Sequence, residues 1–324
     1  MDYTKPIDIQ AILNTAKKYD KDIKILVTLD AMDILKEFGL RTGFKESIDI
    51  HEFQHTFGVS KKYDGDFKGD KKIGDIVKRN LKIYPIVYEM KDEPERYRTT
   101  FLNEVATGKV LETTPFELWI IQRGIEGAAE ELYNVLFTAV RSEDAQNPGV
   151  EYSFNGFETI IAADIVSGLI SIAHNNLYDA TTAFTAANIG DKLKAMWRAA
   201  HQTMKRKGGI MYLAENLGEM YDDWYKTNHE NPPQLDVAGQ LFLEGSNGKC
   251  KIVRLGCIEN QRVILTQPGN LTYGTESMND MKNLKPFNSG SPYHFTATMK
   301  YTFGVQLESI HHRKFITNKL YSES

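Results

Sequence analysis

Apolar and polar positions change their rhythm several times along this chain, and each rhythm predicts an element. Beginning at Pro6, Ile9, Ile12, Leu13 and Ala16 recur at helical spacing, so a short amphipathic helix is predicted with Pro6 near its start. The next apolar stretch, DIKILVTLDAMDILKEFG, reads as a strand and then a helix that Gly39 stops. These first forty or so residues hold too little apolar material for a core of their own and read as an arm.

Between Phe44 and about Glu95 the period drops to two. The runs FKESIDIHEFQHTFGVS and VKRNLKIYPIVYEMKDE alternate on either side of SKKYDGDFKGDKKIGD, which is rich in Lys, Asp and Gly. This pattern predicts a long two-stranded ribbon with a charged tip. An isolated two-stranded hairpin is marginal in water, so the ribbon must lie on something, in its own subunit or in a neighbour. Phe53, Phe57, Ile83, Ile86 and Tyr88 are the apolar residues expected to be left for that contact.

A helical period follows. Thr114 as N-cap, Pro115 at the first helical position and Glu117 at the third form a capping box. Leu118, Ile121, Ile125, Ala129, Leu132, Leu136 and Val140 continue the period, predicting a spine of about 25 residues and about 38 Å. After the turn at Asn147-Pro148-Gly149, NGFETIIAADIVSGLISIA reads as a helix. TAANIGDKLKAMWRAAHQTMKRKGG reads as another, capped by Thr185 and ended by Gly208-Gly209. GIMYLAE predicts a buried strand and NLGEMYDDWYKTN a short amphipathic helix. Beyond Pro232-Pro233 strands are predicted: a hairpin in GQLFLEGSNGKCKIVRLG turning at Asn247-Gly248, a strand pair or strand and loop in QRVILTQPGNLTYG, and one long strand in SPYHFTATMKYTFGVQLESIHHRKFITNKL.

Composition narrows the functional classes. With 41% hydrophobic and 25% charged residues over 324 positions, the chain is globular rather than disordered. Its net charge of −4 supplies no global basic field for nucleic acid or anionic lipid, so any contact with DNA is expected to be weak and non-specific. The start MDYTKPIDIQ lacks the basic stretch and apolar core of a secretory signal, and no run is long and apolar enough to span a bilayer; a soluble protein made in a cytoplasm is expected. Cys250 and Cys257 are too few for a disulfide framework and read as buried strand residues.

One motif points toward chemistry. His51, Glu52 and His55 spell the H-E-x-x-H pattern of zinc metallopeptidases, with Gly58 extending the match. Two histidines four apart reach one metal only on a helix. Here the neighbours alternate with period two, which on a strand separates the histidines by about 13 Å on one face. Lys61 also stands where the extended pattern needs a third His. No metal and no cofactor is therefore assigned, and no catalytic residue; His51 and His55 are read as contacts between subunits. Adjacent His311 and His312 face opposite ways on a strand, Lys205-Arg206-Lys207 complements a helix C-terminus, and GSNGKCK lacks the spacing of a phosphate loop.

An arm, an unsupported ribbon, a spine helix, a helix and strand domain and a closing long strand suit a subunit that lies across its neighbours. This order resembles the major capsid proteins of tailed bacteriophages, an α+β fold shared with encapsulins. The similarity is most specific in MKRKGGIMYLAENLGEMYDDWYKTN, in the hairpin and "tP.NL.yG" strand that follow, as in capsid proteins from phages of Bacteroidetes hosts, and in KYTFGVQLESIHHRKF. The resemblance implies an N-terminal arm at 1–43, an extended β-ribbon loop at 44–98, a peripheral domain at 99–155 and 280–324 with a long spine helix and long β-sheet, and a mixed α/β axial domain at 156–279. It further implies a non-enzymatic protein that assembles through hexamers and pentamers into an icosahedral shell around double-stranded DNA, in a virion assembled in the host bacterial cytoplasm. No charged helix precedes the arm, so a separate scaffolding protein is implied, along with a portal, possible decoration proteins and no membrane. Gly39, Gly43 and Gly108 are the expected hinges. Lys61, Lys62, Lys68, Lys71 and Lys72 lie near the loop that some relatives cross-link, but no motif selects one. The alternatives are an encapsulin-like compartment and, further off, a zinc metallopeptidase acting through His51, Glu52 and His55.

Overall fold

The computed structural model describes residues 35, 38–56, 58–62, 71–111, 116–144, 146–229, 241–258, 261–277, 285–287 and 294–321. The arm helix, the ribbon tip, Phe57, Lys68, Thr114 and Pro115 lie outside the described residues. In chain order the elements are β1 (Gly39–Thr42), β2 (Ser47–His55), β3 (Gly74–Lys82), β4 (Tyr84–Asp92), α1 (Arg98–Ala106), α2 (Phe116–Val135), α3 (Phe157–Val166), β5 (Leu177–Tyr178), α4 (Ile189–Ala199), α5 (Gln202–Lys207), β6 (Gly209–Ala214), α6 (Glu215–Asn228), β7 (Cys250–Leu255), β8 (Val263–Thr266), β9 (Leu271–Thr275), β10 (Lys285–Phe287), β11 (Phe295–Leu307) and β12 (Phe315–Asn318).

The chain divides into two compact units. The first comprises residues 1–45, 83–156 and 273–304. Its sheet centres on β11, which pairs antiparallel with β4 from Phe295↔Asp92 to Phe303↔Tyr84 and with β10 near its start; β9 and β1 complete the sheet. Phe295, Ala297, Met299, Tyr301 and Phe303 point inward and Lys300 outward, the period of two read from the sequence. The spine α2 is 20 residues long, about 30 Å. It buries Leu118, Ile121, Ile125 and Leu132 as expected from their spacing, together with Trp119, Ile120 and Ala128. It is shorter than predicted: Leu136 lies past its last turn and Val140 is exposed, because the backbone there pairs with 151–152 instead, Val140 N–H donating to the Glu151 carbonyl at 2.8 Å. Phe101, Phe116 and Trp119 cluster with ring centroids 5.2–6.0 Å apart, seating α1 on α2.

The second unit comprises residues 46–82, 157–272 and 305–324. Its sheet has the order β5-β12-β8-β6-β7, with β6 and β7 parallel and β6 antiparallel to β8. Every residue of β6, β8 and β12 is buried, which explains why GIMYLA of β6 reads as a near-continuous apolar run, while Thr266, Thr317 and Asn318 are buried with hydrogen-bond partners. A buried polar knot ties the edge together. Arg262 meets Glu158, at the start of α3, through two nitrogens at 2.7 and 2.9 Å, and donates to the Asn318 carbonyl at 2.5 Å.

Three sequence expectations change here. The helix foreseen from Thr185 starts at Ile189 and breaks at Ala200 and His201, both extended; His201 Nδ1 accepts the Thr203 N–H at 3.1 Å and so starts α5 afresh. The hairpin at Asn247-Gly248 exists, both residues taking positive φ and Lys249 N–H donating to Ser246, but the main partner of β7 is β6 in parallel. The closing strand is two strands, β11 and β12, interrupted at 308–314.

Candidate functional site

The ribbon is the element whose chemistry is not consumed by a core, and its two faces differ. β2 and β3 pair antiparallel from Ser47↔Lys82 to His55↔Gly74. One face carries Ile48, Ile50, Glu52 and Gln54 from β2, opposite Leu81, Arg79, Val77 and Asp75 from β3. Ile50 and Leu81 are buried. Arg79 Nη2 lies 2.7 Å from Asp164 on α3 and 2.8 Å from Gln306, whose amide donates back to the Asn80 carbonyl at 2.9 Å. Further along, Lys314 reaches Glu52 at 2.8 Å. Burial alone would push the Glu52 carboxyl up; hydrogen bonds from Lys314 and Ser309 outweigh it and hold the group below its ordinary range.

The opposite face carries Asp49, His51, Phe53 and His55 beside Asn80, Lys78 and Ile76. Lys78 pairs with Asp49 at 2.7 Å, and the hydrogen bond from Lys78 followed by that from Asn80 depresses the Asp49 carboxyl. Phe53 and its direct cross-strand partner Ile76 are 55% and 68% exposed, and Ile73 beyond them 65%, an apolar strip on a surface element. The Phe53 ring lies over Gly74: a Cβ there would sit 2.7 Å from the ring and 2.4 Å from the Gln54 carbonyl. Gly74→Ala is therefore expected to part the last rung of the ribbon at a cost of about 1–3 kcal/mol, read by urea unfolding together with hydrogen exchange at 53–56.

The H-E-x-x-H residues thus sit on a strand. His51 and His55 share the exposed face, while Glu52 points the other way into its contact with Lys314. Among the described residues no group of three His, Cys, Asp or Glu side chains is placed to share a metal ion. Ile83 and Ile86, expected to await a neighbour, are buried in their own chain, and Tyr88 is half-buried, because the ribbon ends at Lys82 and the following residues form β4 against β11. Lys61, Lys62, Lys71 and Lys72 are exposed. Gly43 and Gly108 have positive φ, whereas Gly39 lies in β1 and needs no special backbone. Cys250 and Cys257 are buried, and burial pushes the Cys250 thiol up and out of reactivity. Lys205, Arg206 and Lys207 form the last turn of α5.

In the first unit a cavity of about 610 Å³ is lined by Tyr88, Tyr97, Trp119, Phe295, Asp92 and Glu104 among others. Two of its carboxylates are engaged, Asp92 by the Tyr97 hydroxyl and Glu104 by Trp119 and Arg123 at 2.8 and 2.9 Å. No nucleophile and base pair up there.

Sequence comparison is silent: no family model and no curated protein sequence matches the chain. Structural comparison is not. The chain superposes on a subunit of the cyanophage A-1(L) capsid with a TM-score of 0.55, covering 93% of each chain at 12% identity. The fold is that of phage major capsid proteins. A satellite phage P4 procapsid that includes the size determination (Sid) protein gives a TM-score of 0.54 at 9% identity, over 92% of this chain and 98% of that one. The capsid of an empty GTA particle gives 0.54 at 9% identity, over 90% and 97%. At these identities the likeness is one of fold, and nearly end to end, so the capsid fold expected from the order of elements is present in this chain. Arg79, Asp164 and Gln306, which seat the ribbon, carried no sequence signal, being brought together across 85 and 227 positions.

Proposed function

We propose that this protein is a major capsid protein whose work is done by its surfaces: copies associate into an icosahedral shell around double-stranded DNA. The observation that carries the reading is the Phe53–Ile76 strip, a cross-strand apolar pair left in solvent on an element that is otherwise anchored. A capsid fold together with an unsatisfied ribbon face argues for a neighbouring copy as the cover. Rings of copies, hexamers and pentamers, are heterologous contacts that close by rotation. In this reading the β2–β3 ribbon is the extended loop, the spine α2 and the sheet around β11 belong to the peripheral domain, and the sheet around β6 and β8 to the axial domain, with a separate scaffolding protein and a portal as partners in assembly. The role is structural rather than enzymatic, and the place of work is the virion capsid. No helix among the described residues is long and apolar enough to cross a membrane.

Negative-stain microscopy of the purified chain, alone and with its scaffolding partner, is the test. Shells or capsomers are expected from the unaltered protein, and small discrete particles from a Phe53→Asp, Ile76→Asp variant whose circular dichroism is unchanged. Monomers under every condition from the unaltered protein would remove the proposal.

A further inference from the structure

Three histidine rings from distant stretches of sequence meet in the second unit. His201 stands between α4 and α5; His311 and His312 lie in the loop joining β11 to β12. The His201 and His312 rings meet edge to face with centroids 5.1 Å apart, and His311 and His312 are 4.3 Å apart. Two of these rings hold backbone. His201 Nδ1 accepts the Thr203 N–H at 3.1 Å, and His311 Nδ1 accepts the Arg313 N–H at 3.3 Å. A ring nitrogen accepts only while it carries no proton, so both bonds require Nδ1 to be bare.

The surroundings oppose protonation. Arg313 acts on all three rings, Lys205 on His201, and Lys314 on His311; Glu52 is the carboxylate facing His311, and it is already bound by Lys314. Burial first, then these cations and the rings' mutual repulsion, hold all three imidazoles below their ordinary value, His312 pushed down to about 4. The same loop also grips the ribbon. Lys314 binds Glu52 of β2 while its carbonyl accepts from Gln267 N–H at 3.0 Å and Thr266 Oγ1 at 2.9 Å, and Ser309 N–H donates to Asn270 at 2.8 Å.

We infer that the His201–His311–His312 cluster is an acid-sensitive latch for the ribbon: protonation removes the two Nδ1 acceptors, sets positive rings against Arg313, and loosens the 308–314 loop whose Lys314 holds Glu52. The unfolded chain takes up these protons near pH 6.5 and folded His312 only near 4, so between those values the unfolded state binds more protons and the latch weakens as pH falls. Above that window it is fully closed.

Hydrogen exchange of the full chain, corrected for intrinsic rates, tests the latch. Between about pH 7.5 and about pH 5, still above the range where carboxylates titrate, protection at 47–55, 74–82 and 308–314 is expected to fall at least about tenfold while β6 and β8 keep theirs. In a His201→Asn, His311→Asn, His312→Gln variant, where Asn retains an acceptor for each backbone bond, the change is expected to stay within about twofold. Equal loss in both proteins, or none in the unaltered chain, overturns the inference. Should the variant not fold, NMR titration of the three imidazoles in the unaltered chain decides: values all near 6.5 overturn it, and values all depressed by at least about one unit uphold it. Because the measurement is made on unassembled chains, its failure leaves the capsid reading untouched.

Discussion

Arg262→Met is expected to lower the unfolding free energy by about 3–5 kcal/mol, the cost of leaving a buried charge without its partner. The Arg262 side chain is 2% exposed and that of Glu158 14%, so water cannot replace the lost contacts. The substitution abandons both Glu158 oxygens and the Asn318 carbonyl at once. Asn318 also accepts from Val263 N–H at 2.7 Å and donates to the Gln261 carbonyl at 2.8 Å, so the damage reaches β8 and β12 together. Urea unfolding measures the loss. A Glu158→Leu, Arg262→Met double variant is expected to recover most of it, since removing both charges leaves neither stranded. A single variant within about 1 kcal/mol of the unaltered protein would show that the knot contributes little beyond packing.

Arg79→Met is expected to cost a similar amount, about 3–5 kcal/mol, but at a different place. Arg79 and Asp164 side chains are 10% and 13% exposed, and the guanidinium also meets Gln306. Losing it leaves Asp164 uncompensated on α3 and removes the charged anchor of β3, which keeps Leu81 and the Gln306 bond to the Asn80 carbonyl. Protection at 74–82 and at the paired 47–55 is expected to collapse while β6 and β8 hold theirs, because the ribbon opens as a local unit. If the ribbon joins copies in a shell, particle yield falls with it. Uniform destabilisation across all strands would instead mean that Arg79 serves the whole unit.

The ribbon was legible because alternation is local: Ile48, Asp49, Ile50 and His51 declare their faces by their own polarity, although Glu52, Phe53 and Gln54 reverse the rule. That same period argued correctly that His51 and His55 lie on a strand. What local pattern could not supply was the end of the ribbon. No polar turn separates Ile83 from the apolar run Tyr84-Pro85-Ile86-Val87-Tyr88, yet β3 stops at Lys82 and β4 turns to β11, a decision made by residues some two hundred positions away. Likewise no Gly or Pro marks the break at His201; the cap is an imidazole, a side chain seldom read as one. Phe53 announces itself as apolar, but its exposure follows from which face Arg79 and Glu52 anchor.

Neither compact unit is a continuous piece of chain, and this has a consequence for the timing of synthesis. The first unit's sheet waits for 295–303 to pair with 84–92, and the second waits for 315–318 to pair with β8. A nascent chain therefore carries its ribbon sequence well before the strands that complete either body are made. Such long-range closure is slow, and late. The ribbon itself pairs locally, but its anchors Gln306 and Lys314 lie in that late segment, so the face carrying Phe53 and Ile76 is seated only once both have been made.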